Sequence, residues 1–329
     1  MSKKKLFILL IIVLFCMVAF CINTTFAENI TVKVGHVNPP GEPAYVAWEY
    51  FAKRVDELSK GQIKVDVYPS SQLGNERDLI EGVRLGTMNM TAPSVAPMTL
   101  SDEKFNIFTL PYIFRDEDHQ WKVTDGPIGK NLAKGFEEKT GIRILNWWST
   151  GVRHMFNNKA PVWEPEDLKG KKVRIMESQV YKDLFNAIGA LPTPLPYGEL
   201  YSGLMTGLVD FGENDSSGYR TMKFFEVAKY FSLTGHEINC KPVLTNAKWW
   251  NELSSENQKI LEQAMNEATK IQRDLFANNF DSDLKWLMEH GVRVNMVDQD
   301  AFRELMKPVW EKWEKILGKD LIQAVVDTK

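Results

Sequence analysis

Polar and apolar residues alternate through NITVKVGH (residues 29–36), which predicts a strand, and then the period changes. In EPAYVAWEYFAKRVDELSKG (42–61) the apolar positions Val46, Tyr50, Phe51, Val55 and Leu58 recur at helical spacing, and QIKVDVYP (62–69) returns to alternation. This strand–helix–strand opening is the unit of a parallel sheet. GNERDLIEGVRLGT (74–87) predicts a helix closed by Gly86, and MNMTAPSV (88–95) the next strand. GIRILNWW, HMFNNK, KKVRIM and PVLTNA supply further strands between helical stretches, so the fold class is α/β.

One element stands out by length. From Ser254 or Ser255, both good N-caps, the apolar positions run in helical phase from Ile260 through Leu275 and Phe276 to Met288, and Gly291 ends them. Roughly 35 residues at about 1.5 Å each make a helix on the order of 50 Å long, more than one small domain needs. It predicts a strut across two domains; the alternative is a helical hairpin broken near Asn278 and Asn279.

The first 27 residues are of another kind. Lys3, Lys4 and Lys5 precede an apolar run (6–22), and Thr25, Phe26 and Ala27 follow. This is the pattern of a secretory signal peptide cleaved after Ala27. The run approaches the minimum for spanning a bilayer, which leaves a membrane anchor as the alternative. Cys16 and Cys21 each follow phenylalanine, whereas a lipoprotein signal needs a small residue there. The expectation is a soluble, exported protein.

Removal of this segment takes three lysines and no acids, so 37 basic residues face 43 acidic ones and the net charge moves from -3 to -6. Such a chain is no general binder of nucleic acid or anionic membranes. One cysteine, Cys240, remains and reads as a buried thiol, so stability must come from a large core.

Catalytic signatures are mostly missing. The sequence has no G-x-G-x-x-G, no Walker loop, no G-x-S-x-G and no H-E-x-x-H, and its five histidines are too scattered to suggest a metal site. Neither a cofactor nor a metal is expected. Asp210 and Glu213 could pair as general acid and base, although acids at that spacing are common.

An arginine pattern remains. Arg174 interrupts the strand KKVRIM, and Arg153 lies in WWSTGVRHMFNNK; both sit among apolar or aromatic residues, where an unpaired guanidinium is costly. Each needs an anion. An acid of the same chain and a bound carboxylate are equally open on composition, and arginine matches a carboxylate with two parallel N–H donors.

The run LKGKKVRIMESQVYKDLFNAIGALPTPLPYGELYSGLMTGLVDFGEN (168–214) closely resembles the ligand-binding core of the DctP family, the substrate-binding proteins of tripartite ATP-independent periplasmic (TRAP) transporters. VGHVNPPGEPAYVAWEYFAKRV, YPSSQLGNERDLIEGVRLGTMNM, LPYIFRD with His119, and the long helix extend the resemblance over nearly the whole mature chain. It implies a type II periplasmic-binding-protein fold: two α/β lobes around a ligand cleft, with the long helix behind both. The expected division is 28–151 plus about 240–279 for lobe I, and 152–239 plus about 280–329 for lobe II.

Carried over by residue, Arg174 corresponds to the family's arginine that pairs with the ligand carboxylate and Arg153 to a second arginine near it. Asn214 corresponds to a ligand-bonding asparagine, and Glu76 to a position that contacts hydroxyls in sugar-acid binders. An indole face suits a sugar ring, which adds Trp148 as a candidate; core packing is the alternative for it and for Trp147. Asn38 and Gln72 complete the expected polar wall of lobe I, while Arg77, the competing second cation, points elsewhere.

The resemblance implies a monomeric binding protein that is not an enzyme, serving small and large TRAP permease subunits. The expected ligand is a small organic acid: a monocarboxylate sugar acid such as a hexuronate or aldonate first, a C4-dicarboxylate second. A secreted enzyme acting on an acidic sugar and a ligand-sensing partner of a membrane receptor stay open as rivals.

Overall fold

A computed structural model describes residues 29–329, so the expected signal peptide lies outside the described residues. The predicted opening is present: β1 (Ile30–Gly35) pairs in parallel with β2 (Ile63–Tyr68), and the helix Pro43–Ser59 crosses between them. That helix buries Ala47, Trp48, Phe51 and Val55, one apolar stripe at helical spacing, against the sheet.

Among the described residues nine strands form one mixed sheet. They run in the order β2-β1-β3-β8-β4-β7-β5-β6, and β9 (Arg293–Met296) pairs with β8. Two strands are exceptional. β4 (Ile142–Asn157) and β8 (Tyr230–Asn246) have 16 and 17 residues, about three times the usual strand, and pair antiparallel along their length. At one end β8 carries β3 (Met90–Thr91), through Met90↔Thr245, and beyond it β1 and β2. At the other end β4 carries β7 (Phe211–Asn214), with β5 (Lys172–Ile175) and β6 (Leu191–Pro194) beyond. The sheet thus has two lobes joined by a long ribbon.

Several strands differ from the sequence expectation, each for a local reason. GIRILNWW and HMFNNK are not separate strands but the two ends of β4, continuous through Gly151 at φ +71°. PVLTNA is only the end of β8, whose earlier residues include buried Ser232, Thr234, His236, Glu237 and Asn239 and so read as polar loop. β6 was also hidden: its sequence is Leu-Pro-Thr-Pro, and prolines are tolerated because it lies at the sheet edge.

The long helix, Ser255–Glu289, is unbroken. Ser254 caps it by accepting from the Asn257 amide, and Asn278, where a break was the alternative, turns its side chain back to the Asp274 carbonyl at 2.6 Å. Its polar residues fasten it to both lobes. Glu267 accepts from Tyr50 and Arg54, each at 2.8 Å, and Asp283 takes Arg220 at 2.9 Å and the Ser217 hydroxyl. Between them the buried Gln272 amide brackets Ser149 of β4, donating to its carbonyl at 2.5 Å and accepting from its N–H at 3.2 Å. Among the described residues no helix is long and apolar enough to cross a membrane.

Candidate functional site

A narrow cavity opens where the carboxyl ends of β1, β3, β5 and β7 meet the middle of the β4–β8 ribbon. Ligand sites of open α/β sheets occur at such strand ends. Asn38 and Glu42 reach it from the turn after β1, Glu76 from the first turn of the helix Glu76–Leu85, and Ser94 from beyond β3. Thr150 and Arg153 come from β4, Arg174 from β5, Asn214 from β7 and Lys241 from β8.

Both arginines are buried, and both find the same acid. Glu213, fully buried on β7, bonds Arg153 Nε through one oxygen and meets Arg174 Nη1 at 3.4 Å through the other. The two possibilities left open for these guanidinium groups are therefore not exclusive: an internal anion is present, and it orients the pair toward the cavity. Burial alone would raise the pKa of Glu213, but the adjacent charge of Arg153, then hydrogen bonding and the charge of Arg174, hold it down at about 2. Arg153 also donates to the Glu213 carbonyl and to Asn214 Oδ1, both at 2.8 Å, and Arg174 Nε donates to the Leu195 carbonyl at 2.9 Å. Asn214 in turn donates to the Tyr197 hydroxyl at 2.9 Å.

The opposite wall is built around Glu76. The helix it opens is capped by Asn75, whose side chain accepts from the N–H groups of Arg77 and Asp78 while Asp78 reaches back, a full capping box. Glu76 accepts from the Ser94 amide at 2.7 Å and from the Ser94 hydroxyl at 2.5 Å. Lys241 Nζ lies 3.8 Å from it. Glu42 accepts from the Asn38 amide, and burial, followed by the nearby charge of Asp215, raises its pKa so that it keeps its proton at neutral pH.

Of the residues expected in the site, Arg174, Arg153, Asn214, Glu76 and Asn38 are brought together. Two are not. Trp148 is 1% exposed in the core of lobe I, its ring 5.0 Å from that of Trp48 and its N–H on Thr269 of the long helix. Trp147 alternates to the opposite face and packs on Phe105 and Phe108, so neither indole lines the cavity. Gln72 is exposed: Ser70 and Ser71 turn through left-handed conformations (φ +53° and +61°), and the chain leaves this turn with Gln72 outward. Arg77 does point elsewhere, toward Glu177 at 3.9 Å across the cleft mouth.

Asp210 and Glu213 do not converge as an acid–base pair, because Asp210 is held by Lys159 at 2.8 Å near the surface. Cys240 is fully buried beside the Gln120 amide. Among the described residues no group of three or more His, Cys, Asp or Glu is arranged to hold a metal ion.

Sequence reasoning missed Glu42, Ser94, Thr150, Tyr197 and Lys241. For Lys241 a signal existed: it is a lone charge in INCKPV, the same interruption that exposed Arg174.

The family model for DctP, bacterial extracellular solute-binding protein, family 7, matches residues 34–316. The chain belongs to this family. It is a solute-binding protein of the TRAP type with the two-lobed periplasmic-binding-protein fold. It is similar to the 2,3-diketo-L-gulonate-binding periplasmic protein YiaO of Escherichia coli, at 33% identity over 93% of this chain and 94% of the relative. Among solved structures it resembles a TRAP solute-binding protein of Sulfurospirillum deleyianum with bound succinate (34% identity, TM-score 0.88, 92% and 100% of the two chains). It also resembles one of Roseobacter denitrificans with bound β-D-glucuronate (30% identity, TM-score 0.87, 91% and 100%). Proteins of this family bind solutes for transport and are not enzymes.

Proposed function

We propose that this protein captures a polyhydroxylated monocarboxylate, a hexuronate or an aldonate, in the periplasm and delivers it to the small and large subunits of a TRAP permease. In this reading the signal peptide is removed after Ala27. The ligand carboxylate faces Arg174 and Arg153, with Asn214 beside it, while Glu76 and Asn38 face hydroxyls.

One observation carries the ligand class. Asn38 Oδ1, Glu42 Oε2 and Thr150 Oγ1 are buried around the cavity without a hydrogen-bond partner among the described residues. Unpaired buried polar atoms are costly, and the hydroxyls of a sugar acid would satisfy them where the methylenes of succinate would not. Lys241 favours a second reading, a C4-dicarboxylate, since it supplies a cation on the wall opposite Arg174. Calorimetry with glucuronate, galacturonate, gluconate, malate and succinate distinguishes them. The sugar acids are expected to bind tightly; tight binding of succinate with none of the sugar acids overturns the choice.

Binding is coupled to closure of the lobes about the ribbon. We place the hinge at 151/152 and 239/240, with residues 28–151 and about 240–279 in lobe I and the remainder in lobe II. Support comes from the register shifts of the β4–β8 pairing between Ser149 and Val152 and between Arg153 and Met155, and from Gly151 and Gly235, both at positive φ. Bulged, glycine-containing strands bend where regular ones do not. Small-angle scattering is expected to give a smaller radius of gyration with saturating ligand than without; identical profiles would reject closure.

A further inference from the structure

Lys241 is a buried charge on the cavity wall that the proposed function leaves without a role. Its side chain is 3% exposed, it lines the cavity, and among the described residues the acid within 4 Å of it, Glu76, stands 3.8 Å away, beyond hydrogen-bond reach. Glu76 meanwhile is already served. Its two oxygens accept from the amide and hydroxyl of Ser94, and its place in the first turn of a helix sets its charge against the positive end of that helix. The Lys241 ammonium makes no hydrogen bond to Glu76 and keeps donors to offer to a ligand.

We infer that Lys241 and Glu76 act as one specificity device, an adjacent donor and acceptor that reads two neighbouring uncharged hydroxyls at the end of the ligand remote from Arg174 and turns away a second carboxylate there. The inference rests on the proposed function and narrows it. A vicinal diol offers one oxygen to accept from the ammonium and one O–H to donate to the carboxylate, which matches the pair as it stands. The charges of the two cancel, their neighbours Asn38 and protonated Glu42 add none, and Asp215, close to Glu42 on the same cavity, adds a negative one, so this wall offers an anion no net positive charge. Lys241 thus compensates Glu76 rather than recruiting an anion. A terminal carboxylate placed here would gain Lys241 and meet Glu76 at once, with its own desolvation left over. The site is accordingly one for aldonates and uronates, not for aldarates.

Galactonate and galactarate test this, because they share a carbon skeleton and differ only in whether the far terminus is a hydroxymethyl group or a carboxylate. Wild-type protein is expected to prefer galactonate by about tenfold or more, the like-charge cost of seating a second anion beside Glu76. In Glu76→Gln the acid is gone and Lys241 is uncompensated, so the ratio should swing toward galactarate by at least about tenfold. Lys241→Met should weaken galactonate without any gain for galactarate. Melting curves confirm that each variant is folded, and Lys241→Gln stands in should the methionine variant melt early. A ratio unchanged in Glu76→Gln, or a wild type that takes both acids equally, overturns the inference while the sugar-acid reading stands. If neither is bound and succinate is, that reading falls and this one with it.

Discussion

Arg174→Ala is expected to lose tight ligand binding while the protein stays folded. Removing one side of a buried charge pair costs about 2 to 5 kcal/mol, roughly 30-fold to several-thousand-fold in affinity. The fold should survive because Glu213, the acid in ion-pair contact with Arg174 among the described residues, keeps its closer partner Arg153. Arg174→Lys should also bind poorly, since a point ammonium cannot reproduce the fork that reaches Leu195, Glu213 and a ligand carboxylate together. Calorimetry with the ligand found for the wild type, paired with a melting curve, reads both parts. A folded Arg174→Ala protein with unchanged affinity would refute the assignment.

Arg153→Met is expected to act first on stability. It strips the buried Glu213 of its closest cation and leaves the carboxylate to Arg174 at 3.4 Å and His236 at 3.7 Å. Breaking a buried pair from one side costs about 3 to 5 kcal/mol, so the melting temperature should fall by several degrees at pH 7. The pH dependence identifies the cause. Glu213 titrates in the folded protein at about 2, below its ordinary 4.5, so the stability it contributes is complete above 4.5 and is lost as pH falls toward 2. The gap between wild type and variant should therefore be widest near neutrality and close over that acid range. A gap that is constant with pH would mean that lost packing, not the stranded carboxylate, is responsible.

These two arginines also show what a sequence makes legible. Each could be recognised as a charge in the wrong surroundings, because the cost of burying a guanidinium is a local property of the strand that carries it. Their shared partner could not. Glu213 stands beside Arg153 only because β7 pairs antiparallel with β4, His154 opposite Asn214, and nothing in either segment announces that register. The βαβ opening and the long helix were legible for the same local reason: one apolar face at one period. β8 was not, since a central strand with buried serine, threonine, asparagine and histidine has no clean apolar face. Trp148 failed in the opposite direction. Alternation could say that it and Trp147 face opposite ways, but not that the long helix and Trp48 had already covered its side of the sheet.

The ribbon that joins the lobes also dictates how the chain must fold. β1, β2 and β3 are made early, yet the strand that closes their side of the sheet is β8, where Thr245 comes to lie beside Met90, and the helix that covers them ends only at Glu289. Neither lobe is a continuous stretch, so neither can finish while the chain is still emerging from its N-terminus. The closing contacts span long loops, whose ordering is an entropic cost met before any contact returns it, a topology expected to slow folding. Assembly therefore waits on the last third of the sequence, and a chain cut short before residue 230 would leave its first strands without the neighbour they need.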